Sequence, residues 1–132
     1  MEAQFTVSKW DEKPVDDTRE AFPVHIAHVE YELNGDLTGK AHVEYLLYYL
    51  NSSQADGHLA TSKTSGFLHF EGTYLGKYGT FTAEEHGIFD KGHLDSPGTI
   101  IEAAGELENL KGTYHYEFSG QSCKLILDLS II

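Results

Sequence analysis

The chain has 132 residues, 40% apolar and 23% charged, which fits one globular domain with its own core and excludes a disordered tail or two independent domains. Lys and Arg number 9 against 21 Asp and Glu, a formal charge of −12, so nucleic acid and anionic membrane are expected to be repelled. The start Met1-Glu2-Ala3-Gln4-Phe5 lacks a basic and apolar leader pattern, no apolar run approaches the ~20 residues that span a bilayer, and Cys123 is the sole cysteine; the expectation is a cytoplasmic protein without an internal disulfide or a thiolate zinc cluster.

The first expected strand runs from Phe5 to Trp10, and the polar stretch from Asp11 to Glu20, which contains Pro14, reads as a loop. From about Val24 a second strand places Ala27, Val29, Tyr31 and Leu33 on one face and His28, Glu30, Glu32 and Asn34 on the other, the period-2 signal of a half-buried strand. After the turn Asn34-Gly35-Asp36-Leu37-Thr38-Gly39, the pattern resumes with Ala41, Val43, Tyr45, Leu47 and Tyr49 inward. Asp56-Gly57 marks a reversal, Gly72 to Gly79 a glycine-bounded turn, and Phe81, Ala83 and Phe89 continue the inner face. Asp90-Lys91-Gly92 reverses the chain again, and Gly105 to Gly112 forms a third glycine-bounded turn in which Leu107 to Leu110 can hold a short helical piece. Tyr114, Tyr116 and Phe118, a reversal at Ser119-Gly120-Gln121, and Cys123, Leu125, Leu127, Leu129 and Ile131 complete the interior. About eight strands at this spacing predict an all-β domain over residues 1–132, a closed antiparallel barrel, since closure removes the unpaired edges that invite aggregation.

Val7-Ser8-Lys9-Trp10-Asp11-Glu12, Gly39 with Val43-Glu44-Tyr45-Leu46, Gly72 through Gly79-Thr80-Phe81, Gly87 with Phe89, and Gly105-Glu106-Leu107 with Leu110-Lys111-Gly112 carry a resemblance over nearly the whole chain. In these segments it resembles an uncharacterised bacterial family of short proteins, a domain of unknown function, whose barrel is similar to that of allene oxide cyclase and dirigent proteins. The resemblance implies an allene-oxide-cyclase-like barrel, with a lipocalin-like calycin barrel as the alternative, and it carries over no catalytic set. Gly66 is followed here by Phe67, Leu68 and His69, where that family has a charged pair.

Glu85 shares strand parity with Phe81, Ala83 and Phe89, so its carboxyl group is expected to point inward and to need a hydrogen-bonding partner or a proton. Tyr31, Tyr45, Tyr49, Tyr114 and Tyr116 share the inner faces and are its expected neighbours. The first functional expectation is therefore a barrel that binds a small, largely apolar ligand between Tyr31, Tyr45, Phe81, Tyr114 and Tyr116, anchored by Glu85, with no cofactor. An isomerase or cyclase acting on a lipid-like substrate is the enzyme alternative, with Glu85 or Glu44 moving a proton. A barrel filled by its own side chains would instead be a structural or interaction protein.

Histidine stands two residues from an acid at His28 and Glu30, His42 and Glu44, Glu84 and His86, and His115 and Glu117, spacing that puts each pair on one outer face. Solvated pairs are the expected state there, and no metal site is assigned. Cys123 reads as a small core residue. The strand from Ala41 to Leu50 is apolar on both faces, and Leu46, Tyr48 and Leu50 on its outer side predict a homo-oligomer, a dimer or a trimer.

Overall fold

The computed structural model describes residues 1–15, 24–50, 61–91, 93–119 and 122–131. The alternating segments become nine strands: β1 Glu2–Pro14, β2 Val24–Gly35, β3 Leu37–Tyr49, β4 Thr61–Tyr74, β5 Lys77–Asp90, β6 His93–Asp95, β7 Gly98–Gly105, β8 Leu110–Ser119 and β9 Ser122–Ile131. Eight of them pair antiparallel in chain order, β1-β2-β3-β4-β5-β7-β8-β9, and β9 returns to β1, so the sheet closes into a barrel-like ring; β6 only pairs with the end of β5. The β8–β9 hairpin is joined lightly on both flanks. It meets β1 over Glu2 to Gln4 and β7 only at Gly98 and Thr99.

Alternation produces this ring because each strand can bury one face: Val29, Tyr31, Val43, Tyr45, Phe81, Tyr114, Leu125 and Leu127 are buried as expected, together with the other inward positions of β2 and β3. Phe89, Phe118 and Cys123 are only partly buried, packed against the core near one end, and Ile131 is exposed because it is the last strand residue, beyond Leu129. One end is plugged by Leu37, Tyr74, Leu107, Leu110 and Leu129. Leu107 enters from the connection after β7, which is a hydrogen-bonded turn rather than the expected helical piece, and among the described residues there is no helix. Consequently no described helix is long and apolar enough to cross a membrane.

One further expectation changes. The polar stretch after Trp10 is strand as far as Pro14, not loop, because β2 continues alongside it and pairs Asp11 with His28 and Pro14 with His25. A bulge at Ser8 shifts the register between Val7 and Lys9, so Trp10 and Glu12 oppose the inward-facing Val29 and Ala27. The expected reversals at Asp56-Gly57 and Gly120-Gln121, Gly92, and the stretch from 16 to 20 lie outside the described residues.

The β4–β5 hairpin turns on Leu75 and Gly76, with φ of 50° and 85°. Such a two-residue turn suits Asn-Gly, because an L-residue other than Asn or Asp is strained at positive φ. Leu75 is also exposed, so nothing in the core rewards it. Leu75→Asn is expected to raise stability by about 0.5–1 kcal/mol in urea unfolding; a loss would contradict the strain.

Candidate functional site

The interior is organised around Glu85, which is 0% exposed. Its two cross-strand neighbours are glycines, Gly66 on β4 and Gly98 on β7, and the residues beyond them are Tyr45 on β3 and Tyr114 on β8. A side chain at either glycine would fill the path: a Cβ on Gly98 would lie 2.2 Å from the Tyr114 ring, and one on Gly66 would lie 2.0 Å from the Glu44 carbonyl oxygen. With both paths open, Tyr45 donates to Oε1 at 2.5 Å, Tyr116 donates to Oε2 at 2.8 Å, and Tyr114 donates to Oε2 in a short hydrogen bond. Ser96 accepts from Thr64 at 3.1 Å and stands close enough to the carboxyl group to favour its charged form. Tyr31 packs beside these tyrosines, its ring centroid 6.2 Å from that of Tyr116.

A carboxylate has room for about four donors, and three phenol hydroxyls already occupy this one. Burial raises the Glu85 pKa from its ordinary value, against the downward pull of Tyr114, Tyr45, Tyr116 and Ser96. Burial also holds Tyr45, Tyr114 and Tyr116 well above the usual phenol range, with the negative charge of Glu85 adding to the shift, so they remain donors. Among the described residues no cation pairs with Glu85. Of the residues expected to surround it, Tyr31, Tyr45, Tyr114 and Tyr116 are brought together there. Phe81 is buried elsewhere on β5, stacked on Phe70 with ring centroids 5.0 Å apart. Four clefts on the described surface are open and are lined by neither Glu85 nor these tyrosines.

A second carboxylate escaped the sequence reading. Glu12 accepts from Trp10 Nε1 at 3.0 Å and from the Tyr49 hydroxyl, and meets His25 Nδ1 at 2.6 Å. The bulge at Ser8 causes this by turning Glu12 to the side of Ala27 and Tyr49; from the sequence Glu12 sat in a presumed loop. Only a bulge signal at Ser8 could have revealed it, and nothing in the local composition supplies one.

On the outer face, register joins pairs that the sequence kept separate. His28 on β2 opposes Glu44 on β3, and Glu30 opposes His42. His28 Nδ1 lies 2.6 Å from Glu44, His28 Nε2 lies 2.8 Å from Glu30, and His42 Nδ1 lies 3.1 Å from Glu44. The His28 pKa is raised by hydrogen bonds to Glu30 and then Glu44. His86 meets Ser65 at 3.2 Å. His25 and His28 fall on opposite faces, as their spacing requires.

Comparison with known proteins agrees with this architecture. A family model described as a protein of unknown function, DUF3224, matches residues 1–129. The chain is similar to a solved structure from Shewanella oneidensis MR-1, a protein with unknown function from the DUF3224 family, with a TM-score of 0.82 and 16% identity over 100% of this chain and 96% of that one. At that identity the likeness is one of fold. No curated protein matches the chain significantly.

Proposed function

The chain belongs to the DUF3224 family, a family of unknown function, and from that premise we propose that its ring is a filled scaffold that works through its outer surface by assembling with a second copy of itself. The three tyrosine hydroxyls on Glu85 support a filled interior over a ligand container, since a polar ligand group would have to compete with donors already bonded there. The same closure weakens the isomerase reading based on Glu85. Its other acid, Glu44, is exposed on the outside of the ring.

The observation that carries the proposal is an exposed apolar patch. Ile26, Leu46, Tyr48, Leu50, Phe67 and Ile88 are each between 40% and 54% exposed and lie together on the outer face of β2 to β5 and the end of β3. Monomers seldom leave such a contiguous patch in water. Its charge pattern favours a second copy. The cross-strand rows Lys13–Ile26–Leu46–Ser65–His86 and Val24–Tyr48–Lys63–Ile88–Asp95 carry two lysines and one acid, Asp95 at the β6 edge, in a chain of formal charge −12. Two such molecules repel each other least where this patch meets itself, and the adjoining row, with Glu44 and Glu84, offers carboxylates to the lysines of the second copy. Closed two-fold pairing is the commonest way to cover such a surface.

Light scattering at micromolar concentration is expected to give the mass of two chains for the native protein and of one chain for Tyr48→Asp and Leu46→Asp. A native protein that is monomeric, or a dimer that survives both changes, overturns the proposal.

A further inference from the structure

Beside this patch, the outer face gathers an imidazole and carboxylate set that no single strand contains. His28, His42 and Glu44 each present one ligand atom, and these atoms lie within 4.8 Å of one another. We propose that these three residues form a surface site for a divalent transition metal of the zinc class.

The donor set is the first reason. Two imidazoles and one carboxylate bind borderline cations such as Zn²⁺, and three protein ligands leave a coordination position for water. Glu44 is already placed between the rings, 2.6 Å from His28 Nδ1 and 3.1 Å from His42 Nδ1. Tetrahedral ligands at ordinary zinc distances stand about 3.3 Å apart, so Glu44 has to draw back by about 0.7 Å from His28 Nδ1 and by about 0.2 Å from His42 Nδ1, and ligand atoms of the set that stand farther apart, up to 4.8 Å, have to draw together around the ion. The residues are partly exposed, which gives the side chains freedom to make that adjustment.

The second reason is the support behind His28. Its far nitrogen, Nε2, is 2.8 Å from Glu30, while Nδ1 faces Glu44 and the His42 ring stands 5.7 Å away between centroids. A carboxylate holding the far nitrogen of a ligating histidine fixes the ring orientation and makes the other nitrogen a better ligand. That makes Glu30 a positioning residue here. The framework is rigid as well, because His28 opposes Glu44 and Glu30 opposes His42 in an unbroken β2–β3 register. Sequence spacing concealed the set: His28 and Glu30, like His42 and Glu44, each supply half of it.

Calorimetric titration of untagged protein with Zn²⁺ tests the site, with a parallel melting curve. The native protein is expected to bind one equivalent and to melt at a higher temperature with the ion. His42→Ala and His28→Ala should each weaken binding at least tenfold, and Glu30→Gln should weaken it roughly tenfold while leaving the stoichiometry at one. His93→Ala and His115→Ala should leave it unchanged. Repeating the titration on Tyr48→Asp separates the ion from self-association, and the equivalent should persist there. Absence of Zn²⁺ binding by the native protein, or binding that His42→Ala does not alter, overturns the proposal.

Discussion

Glu85→Ala is expected to destabilise the fold by about 3–5 kcal/mol, because it strips the common acceptor from hydroxyls buried around it. Tyr45, Tyr114 and Tyr116 all converge on that carboxyl group, which is 0% exposed. Glu85→Gln keeps the shape and one acceptor oxygen, so it should cost less. The pH dependence separates charge from shape. Burial raises the folded-state pKa of Glu85 above its ordinary 4.5, so its contribution to stability is fully present below that value and is lost as pH rises through the folded-state value. The stability of the native chain relative to Glu85→Gln should therefore fall as pH rises from the ordinary carboxyl value through the raised folded-state one. Urea unfolding at several pH values reads this directly, and a relative stability that rises with pH would contradict the burial-dominated shift.

Gly98→Ala is expected to be nearly as damaging, at about 3–5 kcal/mol, from overpacking and a lost hydrogen bond to a carboxyl group. In an ordinary strand the same change stabilises by roughly 0.5–1 kcal/mol, so even its sign is informative. Here the added Cβ would enter the Tyr114 ring and sit 2.5 Å from its hydroxyl oxygen, driving Tyr114 off Glu85. The damage falls on a weak seam, because Gly98 and Tyr114 form one of the two register pairs that join β7 to β8. Tyr114→Phe is the control: it keeps the ring and removes only the donor, and should cost about 1.5–3 kcal/mol. A Gly98→Ala protein as stable as the native one in urea would show that Tyr114 has another way to reach the carboxyl group.

Self-association and metal binding on the outer face depend on different residues. Self-association rests on Leu46, Tyr48 and their neighbours, metal binding on His28, His42 and Glu44 in the adjoining rows.

Strands whose inward positions are all apolar are legible without the fold. β2 and β3 could be read residue by residue, since Ala27 to Leu33 and Ala41 to Tyr49 alternate without a break, and a half-buried strand has no other way to hide that face. The inward direction of Glu85 followed from the same parity rule applied from Phe81. β4 gave no comparable signal, because its inward positions include Ser62, Thr64, Gly66 and Gly72. Those positions look like loop composition in isolation, yet Thr64 reaches Glu85 through Ser96, and Gly66 lies between Tyr45 and Glu85. Only the closed sheet decided which hydroxyls share the carboxylate, that the Ser8 bulge swings Glu12 toward Tyr49, and that His28 faces Glu44. Parity along a strand is local, since successive side chains alternate by geometry. Register between strands is set by bulges, turns and the need to close the ring, and those join residues far apart in the chain.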